Sequence, residues 1–291
     1  MNNIPLISTT ALANHLSDTD LRVLDASWYL PDHNRDSEVE YLEAHIPGAI
    51  PFDINTVADT DSNLSHTLPS PETFASAVSS MGIGNDHFVV VYDGLGFFSA
   101  PRVWWMFRAF GHDRVAVLDG GLPKWLAECL PTDSGETTQM PNLRPFKAKF
   151  RGAMVQHLSD IMDNIESGEA LVLDARGLGR FVGIYTEPHP ELRSGHIPGS
   201  RNLHYARLCD TKDGTFKDSI ALAKLFSSVS ADEDRPIICS CGSGVTACIL
   251  ALGLEVLGRK NVAIYDGSWS EWGAQTNTPV EKGVGPIRWR G

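Results

Sequence analysis

The stretch Ile237–Leu250, which reads IICSCGSGVTACIL, decides the fold of this chain. Its apolar start is continuous rather than alternating, which is typical of a strand that is covered on both faces of a sheet. A glycine-rich turn then leads into a second apolar run of helical character. The stretch therefore predicts a strand, a turn and a helix of a parallel α/β sheet. It places Cys241 at the carboxyl end of the strand, where the functional groups of such sheets gather.

The chain contains this arrangement twice. Each half carries, in the same order, a strand ending in Leu-Asp-Ala, a His-Ile-Pro-Gly turn, a second apolar strand, a third strand ending in Asp, and a Trp. These features begin at Leu24, His45, Val89, Val117 and Trp125 in the first half and at Leu173, His196, Ile237, Ile264 and Trp272 in the second. The order predicts two tandem α/β domains, each a parallel sheet with helices on both faces.

The domain boundaries follow from the composition between the two copies. The segment Pro131–Asn142 is rich in Thr, Ser, Pro and Gly and has no apolar period, so it reads as a connection. We predict one domain at residues 1–135, a linker at 136–152 with its boundary near Pro141, and a second domain at 153–291. Each copy is about 145 residues long, which is enough for a core of its own.

The composition limits the partners and the compartment. The net charge of −12 disfavours nucleic acid, and no apolar run is long enough to cross a membrane. Met1–Ser8 contains neither a cation nor an apolar core, so it resembles neither a secretory signal nor a transit peptide. Five cysteines are a sparse and odd set, which indicates reduced thiols. We therefore expect a cytoplasmic protein that binds neither nucleic acid nor membranes.

The glycine-rich turn predicts a reactive cysteine. Gly242 and Gly244 let the backbone curl around the Cys241 sulfur, so that successive N–H groups and the positive end of the helix point at one spot. A thiolate is favoured over a thiol there. The alternative is a small buried cysteine in a turn, and this is the interpretation we prefer for Cys239 and Cys248.

Two other uses of the cysteines fit less well. The three cysteines span strand, loop and helix without a nearby His, which does not fit a structural zinc site, so we predict no metal. Cysteine phosphatases close such a loop with Arg six residues after the cysteine, where this chain has Ala247. In the first half Asp93 stands at the position of Cys241. Because Asp93 cannot carry sulfur, we expect the first domain to be catalytically silent.

The motifs together resemble one family. The Cys-Gly-Ser-Gly-Val-Thr-Ala loop, the two His-Ile-Pro-Gly motifs, Ser99–Trp105 and Asp266–Trp272 resemble the tandem rhodanese-domain sulfurtransferases over nearly the whole chain. The uncharged Gly-Ser-Gly resembles the members that use 3-mercaptopyruvate, whereas members that use thiosulfate place basic residues there. The resemblance implies an enzyme without metal or organic cofactor.

The resemblance also implies a mechanism. Cys241 would attack the sulfur of a small-molecule donor and become a persulfide, and pyruvate would leave. A thiol such as thioredoxin or a low-molecular-weight thiol, or cyanide, would then remove the outer sulfur. The family's proton relay would fall on Ser243, His45 and Asp36. His45 fits equally well as a side chain that holds a backbone carbonyl, as His196 does in its own copy.

Substrate-binding residues follow from the same resemblance. Arg180 matches a family arginine that binds the substrate, and an arginine suits a carboxylate. A second family arginine follows Glu-Pro, but His189 stands there in this chain, and Arg193 lies four residues further on. Either could contact the donor, and Arg193 fits equally well as a solvated loop charge. The loop residues that would line the same site are Gly242, Gly244, Val245 and Thr246.

Two other functions remain open at this point. Thiosulfate:cyanide sulfurtransferase activity is the alternative within the same class, and it is disfavoured by the uncharged loop. A persulfide carrier or binding module without catalysis is the alternative outside it. The intact Cys241 loop favours an enzyme, because a module that has lost its activity would be expected to lose the cysteine as well.

Overall fold

The computed structural model describes residues 4–137, 143–232 and 234–283. It divides into two compact units. The first extends to Gly152 and also contains Cys209–Lys217, and the second comprises Ala153–Leu208 and the chain from Asp218 onward. Pro141, at which the sequence analysis places the boundary, lies outside the described residues.

The first unit is built on a five-stranded parallel sheet with the strand order β1-β5-β4-β2-β3. Its strands are β1 (Leu6–Ile7), β2 (Leu21–Asp25), β3 (Ile50–Pro51), β4 (Phe88–Tyr92) and β5 (Val115–Leu118). Its helices are α1 (Thr9–His15), α2 (Ser37–Glu43), α3 (Pro71–Ser80), α4 (Ala100–Ala109) and α5 (Gly121–Ala127), with a 3₁₀ turn at Pro31–His33.

The second unit repeats this plan with the strand order β6-β10-β9-β7-β8, again parallel throughout. Its strands are β6 (Val155–Gln156), β7 (Leu171–Asp174), β8 (Arg201–Asn202), β9 (Ile237–Ser240) and β10 (Val262–Tyr265). Its helices are α6 (Leu158–Ser167), α7 (Leu178–Phe181), α8 (Ser219–Ser227), α9 (Ala247–Val256) and α10 (Ser268–Trp272), with 3₁₀ turns at Gly152–Met154, where the units meet in sequence, and at Tyr205–Leu208.

The central strands show why the sequence folds in this way. Every residue of β4 and of β9 is buried, so both faces of each sheet are covered, as their continuous apolar runs predict. The equivalent indoles of Trp125 and Trp272 are fully buried, and each donates its N–H to a backbone carbonyl at 2.8 Å. The prediction of two tandem parallel α/β folds is confirmed.

Helix ends follow ordinary capping chemistry. Ser8, Ser70 and Asp218 each accept a hydrogen bond from a backbone N–H in the first turn of α1, α3 and α8. Asp36 does the same for α2, accepting from two amides. Within the described residues, no helix is long and apolar enough to cross a membrane.

Part of the predicted linker packs on helices of the first unit. The described portion includes Phe146, which is buried and contacts the rings of Phe74 and Phe107 edge-on. The Lys149 amide donates to the carbonyl of Phe110 at 2.8 Å. This stretch of the chain is therefore held against α3 and α4, and it belongs to the first unit.

The segment Cys209–Lys217 also belongs to the first unit, although it follows β8 in sequence. Cys209 and Phe216 form an antiparallel bridge within it. The Phe216 amide donates to Asp119 Oδ1 at 2.9 Å, and its ring stands edge-on to Phe97 at 4.5 Å. Asp119 directly follows β5, so the segment lies at the carboxyl edge of the first sheet.

Candidate active site

Cys241 directly follows β9, and the loop that begins with it leads into α9 at Ala247. Its side chain is largely covered, since the residue is 2% exposed. Gly244 adopts a left-handed conformation with φ +77°, which a residue with a side chain rarely adopts, so the sharp turn of the loop depends on this glycine.

The start of α10 holds the loop in place. The Cys241 amide donates to Ser268 Oγ at 3.1 Å, and the Trp269 amide donates to the Cys241 carbonyl at 3.1 Å. Ser270 donates both its amide and its hydroxyl to the carbonyl of Gly242, each at 2.8 Å. Backbone polar groups on both sides of the cysteine are therefore fixed by three consecutive residues.

The two neighbouring cysteines are buried inside the unit. Cys239 lies within β9, and burial raises the pKa of its thiol well above the ordinary value. The Cys248 Sγ lies 3.3 Å from the carbonyl of Gly244, and the Cys248 amide donates to the carbonyl of Val245, just before α9. These contacts are those of small side chains packed in a core.

A guanidinium lies beside the loop. Arg180, on α7, is held by Glu187: its Nε lies 3.2 Å from both carboxylate oxygens, and its Nη2 donates to Oε2. A Cβ placed on Gly242 would lie 3.6 Å from Nη2 and 4.0 Å from Nη1 of Arg180. The Glu187 side chain is fully buried, whereas that of Arg180 remains 31% exposed. The cation therefore faces solvent beside the residue that follows Cys241.

A second arginine lies behind the first and is only 1% exposed. Arg176 pairs with both carboxylate oxygens of Asp174, at the end of β7, and its Nη1 donates to Glu187 Oε1 at 3.0 Å. Its Nη2 also donates to the carbonyl of Gly195, and its guanidinium lies 4.2 Å from the ring centre of Trp269. Arg176 thus connects β7 to Glu187 and to the helix that holds the loop.

The charges around Arg176 favour its cationic form. Burial alone would lower the pKa of Arg176, but the carboxylates of Asp174 and Glu187 outweigh this effect and the pKa is raised. Negative charge on Cys241 acts in the same direction.

The loop at the equivalent place in the first unit holds a carboxylate. Asp93 is 1% exposed, and its Oδ2 accepts from the amides of Phe98, Ser99 and Ala100 at 2.8–3.0 Å. Its Oδ1 accepts from the amide of Leu95 at 2.9 Å. Four backbone N–H groups therefore converge on one anion, which is the arrangement that the strand–loop–helix geometry predicts.

Comparison with known proteins identifies the fold family. The model of the rhodanese-like domain matches residues 8–128 and again residues 157–275. The chain belongs to the rhodanese-like family.

Its relatives within this family match along most of their length. Thiosulfate/3-mercaptopyruvate sulfurtransferase 2 of Arabidopsis thaliana is 47% identical, with 96% of this chain and 86% of that protein covered. 3-Mercaptopyruvate sulfurtransferase of Rattus norvegicus is 42% identical over 94% of this chain and 93% of that protein. The crystal structure of SseA, a 3-mercaptopyruvate sulfotransferase from Escherichia coli, aligns with a TM-score of 0.82 and 38% identity, covering 91% of this chain and 98% of that one.

Within the second rhodanese-like unit, the structure brings several of the predicted residues together. Arg180 lies next to Gly242, and Gly244 and Val245 are buried in the same loop, followed by Thr246 at the start of α9. Thr246 makes no side-chain cap to that helix. Ser243 lies in the same loop, half-buried.

Arg193 and His189 occupy different settings. The Arg193 guanidinium donates to the carbonyls of Trp272, Gly273 and Thr278 at 2.8–3.1 Å, so it ties together the chain that leaves α10. His189 is 69% exposed, and its nearest ionic neighbour is Glu191 at 4.0 Å. Contact of either side chain with a donor molecule stays a prediction.

His45 and Asp36 lie in the first rhodanese-like unit, each with a local partner. The His45 Nδ1 donates to the carbonyl of Tyr41 at 2.7 Å, and its ring stacks on the Tyr41 ring. His196 makes the same bond to Phe181 in the other unit. Asp36 Oδ1 accepts from two amides at the start of α2. The proton relay through Ser243, His45 and Asp36 stays a prediction.

Arg176 and Glu187 were not predicted from the sequence as parts of this site. Arg176 directly follows the Leu-Asp-Ala signal of the second copy, and the first copy has Ser27 at that position. This difference between the copies was the available signal. Among the described residues there is no group of three or more His, Cys, Asp or Glu side chains that could hold a metal ion.

Proposed function

We propose that this chain is a 3-mercaptopyruvate sulfurtransferase that carries sulfur on Cys241. The observation that carries the proposal is the loop geometry: a buried cysteine starts a loop whose counterpart in the silent copy holds an anion with four backbone N–H groups. The names of the relatives support the same reaction and the same donor.

The chemistry proceeds in two displacements. The Cys241 thiolate attacks the sulfur of 3-mercaptopyruvate, a new S–S bond forms, and the C–S bond breaks. Its electron pair passes to carbon as the enolate of pyruvate, which takes up a proton and leaves as pyruvate. An acceptor thiolate or cyanide then attacks the outer sulfur, and the S–S bond breaks to restore the Cys241 thiolate. Backbone N–H groups at the loop stabilise negative charge on sulfur in both states.

Arg180 binds the donor carboxylate in this proposal. Its Nε and Nη2 already hold Glu187, so the Nη1 edge beside Gly242 is the one that meets the substrate. The planar fork of arginine suits a carboxylate, and the fixed Glu187 keeps the fork in one orientation. His189 adds a second positive charge only when it is protonated.

The acceptor is a reduced thiol, either thioredoxin or a low-molecular-weight thiol, and the reaction takes place in the cytoplasm. All five cysteines are free thiols in the structure, as is usual for a protein of a reducing compartment.

The test compares kcat/KM for 3-mercaptopyruvate and for thiosulfate, with cyanide or dithiothreitol as the acceptor, in the wild type and in Cys241→Ser. We expect a large preference for 3-mercaptopyruvate that disappears in the variant. A preference for thiosulfate would instead support the second candidate, which the two-donor name of the Arabidopsis relative favours. Absence of activity with both donors would leave a persulfide carrier or binding module.

A further inference from the structure

Ser268, the first residue of α10, has an unusual backbone conformation for a residue with a side chain. Its φ is +49°, in the left-handed region that favours glycine. Its side chain is completely buried. Residues held in such a conformation concentrate at functional sites, because the surrounding structure must enforce them. The presence of serine rather than glycine at this position therefore requires an explanation.

The hydroxyl of Ser268 supplies that reason. It donates its single hydrogen to the carbonyl of Tyr265 at 2.8 Å. Its lone pairs therefore face the other neighbours, and it accepts from the Cys241 amide at 3.1 Å and from the Ser240 hydroxyl at 3.5 Å. One buried oxygen thus joins the last residue of β10 to the last residue of β9 and to the cysteine.

The silent copy provides an internal comparison. The Asp-Gly-Ser of the second copy corresponds to Asp119-Gly120-Gly121 in the first. Gly121 also has a positive φ, of +55°, so the turn imposes this conformation in both copies. A Cβ on Gly121 would lie 2.6 Å from the carbonyl oxygen of Asp93 and 2.7 Å from the Cα of Gly96. At this position the first unit has no room for a side chain, whereas the second unit carries a serine in a strained backbone conformation.

We infer that Ser268 is a positioning residue for Cys241, and that its hydroxyl fixes the cysteine backbone so that the sulfur faces the loop amides. The inference rests on the proposed function for its effect on turnover. In the silent copy, none of the four amides that hold the Asp93 carboxylate is the amide of Asp93 itself. The hydrogen bond from the Cys241 amide to Ser268 therefore uses none of the loop amides that would hold the sulfur.

The experiment separates the hydroxyl from the backbone strain. Ser268→Gly and Ser268→Ala both remove the hydroxyl, but only glycine relieves the left-handed conformation. Ser200→Ala is the control, because Ser200 Oγ donates to the carbonyl of Ile197 at 2.6 Å in the same unit without contacting the loop. The measurements are the rate of Cys241 alkylation by iodoacetamide at pH 7, kcat and KM for 3-mercaptopyruvate, and Tm.

We expect alkylation and kcat to fall about tenfold in both Ser268 variants, with KM unchanged, because each loses the same hydrogen bond. Tm should be lower for Ser268→Ala than for Ser268→Gly, and Ser200→Ala should retain wild-type alkylation and kcat. Wild-type alkylation and kcat in Ser268→Gly would overturn the inference. If the wild type transfers no sulfur but alkylation still falls in both variants, the proposed function fails and the positioning role stands.

Discussion

The two loops that follow β4 and β9 differ in the anion that each is built to hold. In the first unit the loop closes on the carboxylate of Asp93, which receives four backbone hydrogen bonds of 2.8–3.0 Å. In the second unit the same position belongs to Cys241. A carboxylate is a permanent anion at neutral pH, whereas a thiol must first lose a proton. The first loop therefore shows an anion held by backbone amides, and in the proposed function the second loop does the same for sulfur.

Both copies also keep an arginine and a glutamate beside the glycine that follows this position. In the first unit Arg35 pairs with Glu40 at 2.7 Å and donates to the carbonyl of Gly94 at 3.2 Å. In the second unit Arg180 pairs with Glu187 beside Gly242. An arginine at the loop is thus common to both copies and does not by itself indicate catalysis.

The buried arginine distinguishes the copies. Arg176 has Ser27 as its counterpart, and the Ser27 hydroxyl accepts from the amide of Gly94 at 2.9 Å. At this position the second unit therefore carries a positive charge, whereas the first unit has an uncharged hydroxyl.

The largest effect is expected when the cysteine is removed from the second loop and then introduced into the first. Cys241→Ser should reduce sulfur transfer by more than about 1,000-fold, because the nucleophile is lost. Adding Asp93→Cys to that variant should restore nothing, since the first unit lacks a counterpart of Arg176. Steady-state assays with 3-mercaptopyruvate measure both effects, and Cys129→Ser, which removes an exposed thiol, is the control. Recovery of activity in the double variant would show that the loop alone is sufficient.

The next largest effect is expected at Arg176. Arg176→Met leaves the buried carboxylates of Asp174 and Glu187 without their shared partner, so it should lower the free energy of unfolding by about 3–5 kcal/mol. In the molecules that remain folded, kcat should fall by about 100-fold because Arg180 loses its fixed support. Urea unfolding and kinetics at low temperature measure these two effects.

A matched control for this variant lies in the first unit. Arg151 forms a two-pronged pair with Asp113 at 2.6 Å, and both side chains are more than one-third exposed. Arg151→Met should therefore cost less than about 1 kcal/mol. Equal losses in the two variants would contradict a special role of the buried pair.

A smaller effect is expected when the two loop arginines are compared. Arg180→Ala should raise KM for 3-mercaptopyruvate by about 10- to 100-fold, which corresponds to the loss of a charge-assisted hydrogen bond. Arg35→Ala, the equivalent change in the first unit, should leave KM near the wild-type value. Initial rates over a range of donor concentrations measure both. A comparable increase in Arg35→Ala would mean that the first unit also binds the donor.

The sequence predicted what local patterns determine. The strands, the duplication and the loop that begins at Cys241 depend on runs of adjacent residues, so they could be recognised without the structure. Arg176 could not, because its partners Glu187 and Gly195 are distant in sequence and only the fold brings them together. The packing of Phe146 within the predicted linker was missed for the same reason, since a single apolar residue in a polar stretch carries no period.

The smallest effect on activity is expected at Cys209, which lies in the segment Cys209–Lys217 of the first unit. Burial and the nearby carboxylates of Asp119 and Asp93 raise the pKa of its thiol to about 12. It therefore stays protonated at pH 8, where less than about one molecule in 1,000 carries a thiolate. Because the folded-state pKa is raised, burial of this thiol favours folding below its unfolded pKa of about 8.5, and that advantage is lost as the pH rises toward 12.

Iodoacetamide at pH 8 should consequently label Cys241 and leave Cys209 unmodified, and Cys209→Ala should keep the wild-type kcat. Peptide mass spectrometry after timed alkylation measures the labelling, with exposed Cys129 as the reference thiol. Labelling of Cys209 at the rate of Cys129 would show that burial and the carboxylates of Asp119 and Asp93 do not keep its thiol protonated. The two thiols then report the same contrast as the two loops, because burial and nearby carboxylates keep Cys209 protonated, whereas Cys241 begins the loop that is proposed to carry sulfur.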